Sequence, residues 1–318
     1  MRKFIIKLFC FLLPIIAIAY FTDIFISNNL KKSNFYAVKE YTTWNDVLEG
    51  KVNAKVVIYG SSRAWVQINP SMIADSLKTT VYNMGIDGHN FWLQYLRHQL
   101  LLQHNIKPDL IICSVDEFTL VKRPDLYNYE QFLPYMLWNT PIKTATYSYN
   151  HFSLLDYYIP LWRYMGESNA VQFAVKMSKV KTHSTSRIRG YEGQQLTWNK
   201  DLDEAKRRNE KIKTKIDPAT VQLFENFLVD CAKNNTEVVF VYTPEYIEGQ
   251  RLFENRDAAL STFSALSKKY HIKYFDFSAN FMSFNKTYFY NSLHLNKSGS
   301  ELFTQQLIDS LIKLKISP

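Results

Sequence analysis

Five short apolar runs constrain this 318-residue chain more than any other feature: residues 56–59, 80–84, 109–115, 237–243 and 273–277. Each has the length of a strand and little polar interruption, the pattern of a strand covered on both faces. Helical periods separate them. Residues 91–104 carry apolar side chains at 92, 93, 96, 100 and 101 behind a cap at Asn90. Residues 218–233 repeat the pattern, with Asp217 placed to cap the helix and Pro218 at its first position, where a missing N–H costs little. Residues 257–270 and 299–314 read as helices by the same period. This alternation predicts an α/β fold: a doubly wound, mainly parallel five-stranded sheet with helices on both faces.

Between the third and fourth runs the alternation breaks. Residues 120–217 read as a largely helical, aromatic and basic insertion, with 16 Lys/Arg against 10 Asp/Glu. It leaves from the carboxyl end of the third strand, the edge at which open α/β sheets hold ligands. Arg187, Arg189, Tyr191 and Trp198, around the Gly190/Gly193 loop, are therefore the expected substrate-binding residues. Guanidinium groups there suit phosphate or carboxylate, hence an anionic polymer. Residues 201–215 mix charges of both signs and read as a solvated helix.

Composition narrows function by exclusion. With 47% apolar and 21% charged residues the chain is globular, not disordered or fibrous. Three scattered cysteines, at 10, 113 and 231, exclude a disulfide framework and a thiolate zinc site. Dinucleotide, phosphate-loop and His-Glu-x-x-His motifs are missing, so no cofactor and no metal is expected. The net charge of +9 would suit nucleic acid, but no reading motif accompanies it and no nucleic-acid partner is expected.

Residues 1–27 point to a membrane. From Phe4 to Phe21 there are eighteen residues with one charge, Lys7, about the span of a hydrocarbon core. Arg2, Lys3 and Lys7 place the N-terminus in the cytoplasm and the rest of the chain outside, on the periplasmic or extracellular face. Ala17-Ile18-Ala19 offers the alternative of a cleaved signal peptide; the apolar residues beyond it favour a retained single anchor. The expected map is an anchor at 1–27, a linker at 28–54, the α/β domain at 55–119 and 218–318, and the insertion at 120–217.

Three motifs sit where chemistry is expected. Residues 56–65, VVIYGSSRAW, end a buried strand in Gly60-Ser61-Ser62, which exposes a serine at the sheet edge, with a helix expected near Pro70. Residues 81–90, VYNMGIDGHN, end the second strand at Gly85, where a backbone N–H can approach an oxyanion. Residues 288–303 place His294 just before a helix. In a parallel sheet the carboxyl ends of distant strands meet, so 232 residues between Ser62 and His294 are no obstacle. Gly60-x-Ser62-x-Ala64 also has the look of an α/β-hydrolase elbow, but that nucleophile follows several strands rather than the first.

Together, and in this order, the motifs resemble the SGNH/GDSL hydrolase superfamily. The likeness is nearest to its membrane-anchored cell-envelope branch, with the D-alanyl-lipoteichoic acid transfer protein and polysaccharide O-acetyltransferase-like proteins. The resemblance implies a flavodoxin-like three-layer sandwich. It places the nucleophile on Ser62, the base on His294 and the oxyanion donors on the N–H groups of Ser62 and Gly85. Two positions depart from the pattern. Asp116 stands in the third block where an Asn donor is usual, and Asn291 stands where an Asp usually orients the histidine. A reciprocal swap, with Asp116 supplying the carboxylate to His294, would reconcile both.

The implied function is an ester hydrolase or O-acyltransferase working through a Ser–His acyl-enzyme on a cell-surface polysaccharide or other acylated envelope polymer. A membrane acyl donor is a candidate partner. The alternative is an inactive relative that binds a glycan or anionic polymer in the old cleft.

Overall fold

The computed structural model describes residues 1–88, 90–180 and 187–314. The chain forms two compact units. One comprises Met1–Asn45 and Pro124–Thr185; the other comprises Asp46–Arg123 and Ser186–Pro318. The segment expected as a single insertion is thus divided: 124–185 belongs with the N-terminal helix, and 186–217 with the sheet.

The second unit holds five parallel strands: β1 (Val56–Tyr59), β2 (Val81–Asn83), β3 (Leu110–Ser114), β4 (Glu237–Tyr242) and β5 (Lys273–Asp276). Their order is β2-β1-β3-β4-β5, so the expected doubly wound α/β sandwich is present. β1, β2 and β3 are buried along their whole length, as their unbroken apolar runs require. Alternate residues serve opposite faces. Val56, Ile58, Ile112, Val239 and Val241 pack toward Phe303, Leu307 and Leu311 of the C-terminal helix Lys297–Lys313. On the other face Tyr59 and Phe240 meet Phe227 and Phe224 of the helix Pro218–Lys233. The sequence order reverses between β1 and β3, the switch point at which such sheets open a crevice.

Two local readings need correction. A helix starts at Ser62 itself (Ser62–Gln67), ahead of the expected one at Pro70–Leu77. The charged stretch is helical only over Asp201–Arg207; the chain then turns at Asn209, with φ +49°, and Ile212 bridges to Phe253.

In the first unit one helix runs from Arg2 to Leu30 and is long and apolar enough to cross a membrane. It is largely exposed through residue 22 and largely buried from Asp23 onward, where it packs on the helix Ser168–Ser178. The expected linker at 28–54 is not slack. It contains the helix Glu40–Leu48, whose Trp44 is fully buried and donates its indole N–H to Gln131 at 3.0 Å.

The edge of the sheet is finished by residues 187–191. The Asn83 N–H donates to the carbonyl of Arg189 at 2.9 Å. Gly190 lies at φ +80°, and a Cβ there would fall 1.8 Å from the Asn83 carbonyl oxygen. Gly190→Ala should therefore lower the unfolding free energy by about 1–3 kcal/mol, the scale of a forced backbone conformation. Thermal unfolding of the detergent-solubilised chain checks this, and an unchanged Tm would contradict it.

Candidate active site

Ser62 is placed by its neighbour. The Ser61 hydroxyl caps the short helix by accepting the Arg63 N–H at 3.1 Å and donates its own proton to Asp116 Oδ2 at 2.5 Å. Asp116 is itself held, its other oxygen accepting the Phe118 N–H at 2.9 Å and the Thr119 hydroxyl at 3.1 Å. Ser62 becomes the first residue of the helix, so its N–H has no acceptor within that helix. Its side chain stands at the end of β1, beside the crevice.

His294 comes from the other end of the sequence. The Ser62 Oγ lies 2.8 Å from His294 Nε2. On the far side of the ring, His294 Nδ1 lies 3.0 Å from Asn291 Oδ1. That oxygen also accepts the backbone N–H groups of Leu293 and His294, at 3.0 and 2.9 Å. Only an amide oxygen can accept from two N–H groups, so the orientation of the Asn291 side chain is fixed. An acceptor facing Nδ1 makes that nitrogen the protonated one, and Nε2 is left with a lone pair for the Ser62 proton. The loop is braced by Gln67, which donates to the Leu293 carbonyl at 3.1 Å, and by the Tyr246 N–H on the Ser292 carbonyl at 3.0 Å. Tyr290 stacks on the imidazole, centroids 5.4 Å apart and planes 8° from parallel.

Burial, and then the charge of Arg63, pull the His294 pKa down to about 4, against a smaller opposing pull from Asp116. Arg63 follows the serine and is almost fully buried. Its guanidinium reaches Glu245 at 2.8 Å, Glu117 at 3.1 Å, and the hydroxyl and carbonyl of Thr243 at 3.1 and 2.7 Å. Tyr242 lies under it, 4.6 Å from ring centroid to guanidinium, and its hydroxyl contacts both glutamates.

Several expected roles change. The reciprocal swap does not occur: both ring nitrogens of His294 are engaged by Ser62 and Asn291, and Asp116 is engaged by Ser61, Phe118 and Thr119. The Gly85 N–H is not aimed at an oxyanion, because it donates to Asn83 Oδ1 at 3.0 Å. The neighbouring N–H groups of Met84 and Ile86 go to the carbonyls of Ile58 and Gly60. Gly85 is needed for contact instead: a Cβ there would meet the Trp65 nitrogen at 2.7 Å and the Ala64 methyl at 2.9 Å.

The four binding candidates are spread along the edge of this unit. Arg187 is buried with its guanidinium 4.2 Å over Trp65, and Arg189 is exposed. Tyr191 is buried, its hydroxyl 2.6 Å from Ser300. Trp198 packs edge-on against Tyr246 at 4.9 Å, with the Lys286 ammonium 4.9 Å above its ring. Of the four only Tyr191 lines the nearby open cavity of about 550 Å³, with Glu192, Gln194, Lys297 and Glu301 among its walls. Neither Ser62 nor His294 lines that cavity. Arg63, Asn83, Gln67 and Tyr290 are the site residues the motifs did not reveal.

No protein-family model matches the chain, and no curated protein matches it. Among solved structures, an acetyl xylan esterase, AlAXEase, aligns with a TM-score of 0.39 and 13% identity over 80% of this chain and 99% of its own. A protein described as an acylhydrolase of Bacteroides fragilis NCTC 9343 aligns with a TM-score of 0.32 and 14% identity over 80% of this chain and 86% of its own. Both likenesses are remote.

Proposed function

We propose that the chain is a membrane-anchored serine ester hydrolase or O-acyltransferase of SGNH type, with Ser62 as nucleophile and His294 as base. The observation that carries this is the contact of Ser62 Oγ with an imidazole nitrogen that holds a lone pair, at the switch point of the sheet. A neutral base within hydrogen-bond reach of a serine is what acyl transfer requires first. His294 takes the Ser62 proton as the oxygen attacks an ester carbonyl, and returns a proton to the leaving alkoxide. The acyl group then passes from Ser62 to water or to a sugar hydroxyl. The Ser62 N–H supports the oxyanion. An acylated envelope polymer fits an anchored domain that the basic N-terminus keeps outside the cytoplasm.

One observation favours a second reading. With the Gly85 N–H committed to Asn83, the oxyanion loses an expected donor, and a lost donor costs about 10²–10³ in rate. A protein that binds such a polymer without turning it over would tolerate that loss.

A serine-reactive fluorophosphonate separates the two. On the catalytic reading it labels Ser62, Ser62→Ala abolishes both labelling and turnover of an aryl acetate, and absence of labelling in the wild-type chain sinks catalysis. The depressed pKa of His294 sets the pH profile. Its neutral form is the active one, so kcat/KM should stay level from neutral pH downward and fall only as pH approaches about 4. A fall centred near the ordinary imidazole value of about 6.5 would contradict that environment.

Asn291→Asp tests the orienting residue. The known loss of about 10⁴ when a serine protease exchanges Asp for Asn comes from the wrong tautomer, and here the tautomer is already correct. The gain should therefore be well below that figure. The carboxylate should instead raise the apparent pKa of the base by about 1–3 units, as an adjacent opposite charge does, read from the pH–rate profile. No movement of the profile would show that Asn291 does not face the ring during turnover.

A further inference from the structure

The first unit carries an apolar face whose height relative to the membrane span is fixed by a buried ion pair. The apolar stretch Phe4–Phe21 has a length of roughly 27 Å at 1.5 Å per residue. Asp23 follows it by two residues, about 3 Å further along the helix. Asp23 is buried and gripped from one segment. Arg163 places one guanidinium nitrogen 2.6 Å from Oδ1 and another 2.8 Å from Oδ2, and the Leu161 N–H donates to Oδ2 at 2.8 Å. Ser27, one turn on, bonds the Tyr164 hydroxyl at 2.8 Å. A two-pronged guanidinium–carboxylate pair allows little sliding. Residues 161–164 are therefore tied to the helix at points roughly 3–9 Å beyond the end of the span.

What surrounds this grip is apolar and uncovered. Leu155, Ile159 and Met165 are 44, 44 and 68% exposed, and Trp162 is 39% exposed. Trp138, 57% exposed, stacks on Tyr20 of the span with centroids 5.5 Å apart and donates its indole N–H to the Tyr158 carbonyl at 3.0 Å. The Lys143 ammonium rests 2.7 Å from the Tyr158 hydroxyl. Tryptophan and tyrosine with a lysine reaching outward are the side chains that suit the boundary between hydrocarbon and headgroups. Left in water, a contiguous face of this kind is unfavourable.

We propose that residues 154–165 and Trp138 are embedded in the interfacial layer of the bilayer that the N-terminal helix crosses. The face is continuous with the span through the Tyr20–Trp138 stack, and its distance from the hydrocarbon is set by Asp23–Arg163. The unit is seated on lipid, not hung from it by a single helix. This rests on the reading of the helix as a membrane span and is independent of the chemistry at Ser62.

The test uses the full chain in phosphatidylcholine vesicles free of other proteins. Cys10→Ser removes the exposed cysteine; Cys113 and Cys231 are buried. Single cysteines at Leu12, Ile159 and Met165 carry an environment-sensitive fluorophore, and nitroxide lipids labelled near the headgroup or near the chain end act as quenchers. At Ile159 and Met165 the emission should be blue-shifted and lose more to the headgroup nitroxide. At Leu12 it should lose more to the chain-end nitroxide. Water-like emission at Ile159 and Met165 with Leu12 quenched overturns the proposal and leaves the span intact. Water-like emission at all three removes both. Blue-shifted emission at Ile159 and Met165 that neither nitroxide quenches would mean that a second copy covers the face, and overturns the proposal.

Discussion

Arg63 carries a full charge into the interior one residue after Ser62, and the carboxyl ends of three strands are arranged around it. A buried guanidinium is tolerable only when it is paired and its N–H groups are spent. Glu117 arrives from the end of β3, and Glu245 and Thr243 from the end of β4. Removing one partner from such a cluster costs about 3–5 kcal/mol, because the remaining charge is stranded. The position of Ser62 is thus coupled to the loops that follow β3 and β4. The short helix Ser62–Gln67 would be marginal alone; this cluster and the Ser61 cap hold it.

The cluster also has a proton to place. Tyr242 has one hydroxyl proton, yet its oxygen contacts Glu117 Oε1 and Glu245 Oε2. It can donate to one carboxylate only, so the other carboxyl must bring a proton of its own. Burial pushes the Glu245 pKa upward. Arg256, with its Nε 3.5 Å from Glu117 and 3.7 Å from Glu245, adds a second positive charge. Of these charges it is Arg63 that pulls the His294 pKa down, in the direction that keeps the imidazole neutral.

This balance was partly legible in the chain. The sheet could be read because strands buried on both faces need nearly unbroken apolar runs. Ser62 could be singled out because it follows the end of a buried strand, and His294 because it stands just before the C-terminal helix. Gly85 could not be assigned correctly, since the direction of its N–H depends on the Asn83 amide, and a polar residue at a strand end gives no sign of where its side chain turns. Asp116 was open to two readings for the same reason: the hydroxyl that claims it belongs to Ser61, 55 residues earlier. Arg187 and Tyr191 look like ligand-seeking residues in a basic loop, but the guanidinium lies over Trp65 and the phenol bonds Ser300, both inside the protein. The separation of 124–185 from 186–217 does leave a mark on composition: the first part holds 13 aromatic residues and is nearly charge-balanced, while the second has two, Tyr191 and Trp198, and most of the basic residues.

Arg63 opposes a charged imidazole, and Asn291 offers the ring an amide oxygen in place of a carboxylate, so the charged form is supported only by that neutral acceptor and the smaller pull of Asp116. On the proposed acyl-transfer reading an imidazolium formed there is costly, so a proton taken from Ser62 would have to move onward quickly to a leaving oxygen. Transfer between two hydroxyls makes that easiest. The alkoxide that departs is about as basic as the one that attacked, and the proton is returned to an atom like the one it came from. Amide cleavage must protonate a far poorer leaving group while the charge resides on the ring. On that reading the electrostatics around His294 favour esters over amides, by the same field that keeps its Nε2 free to accept.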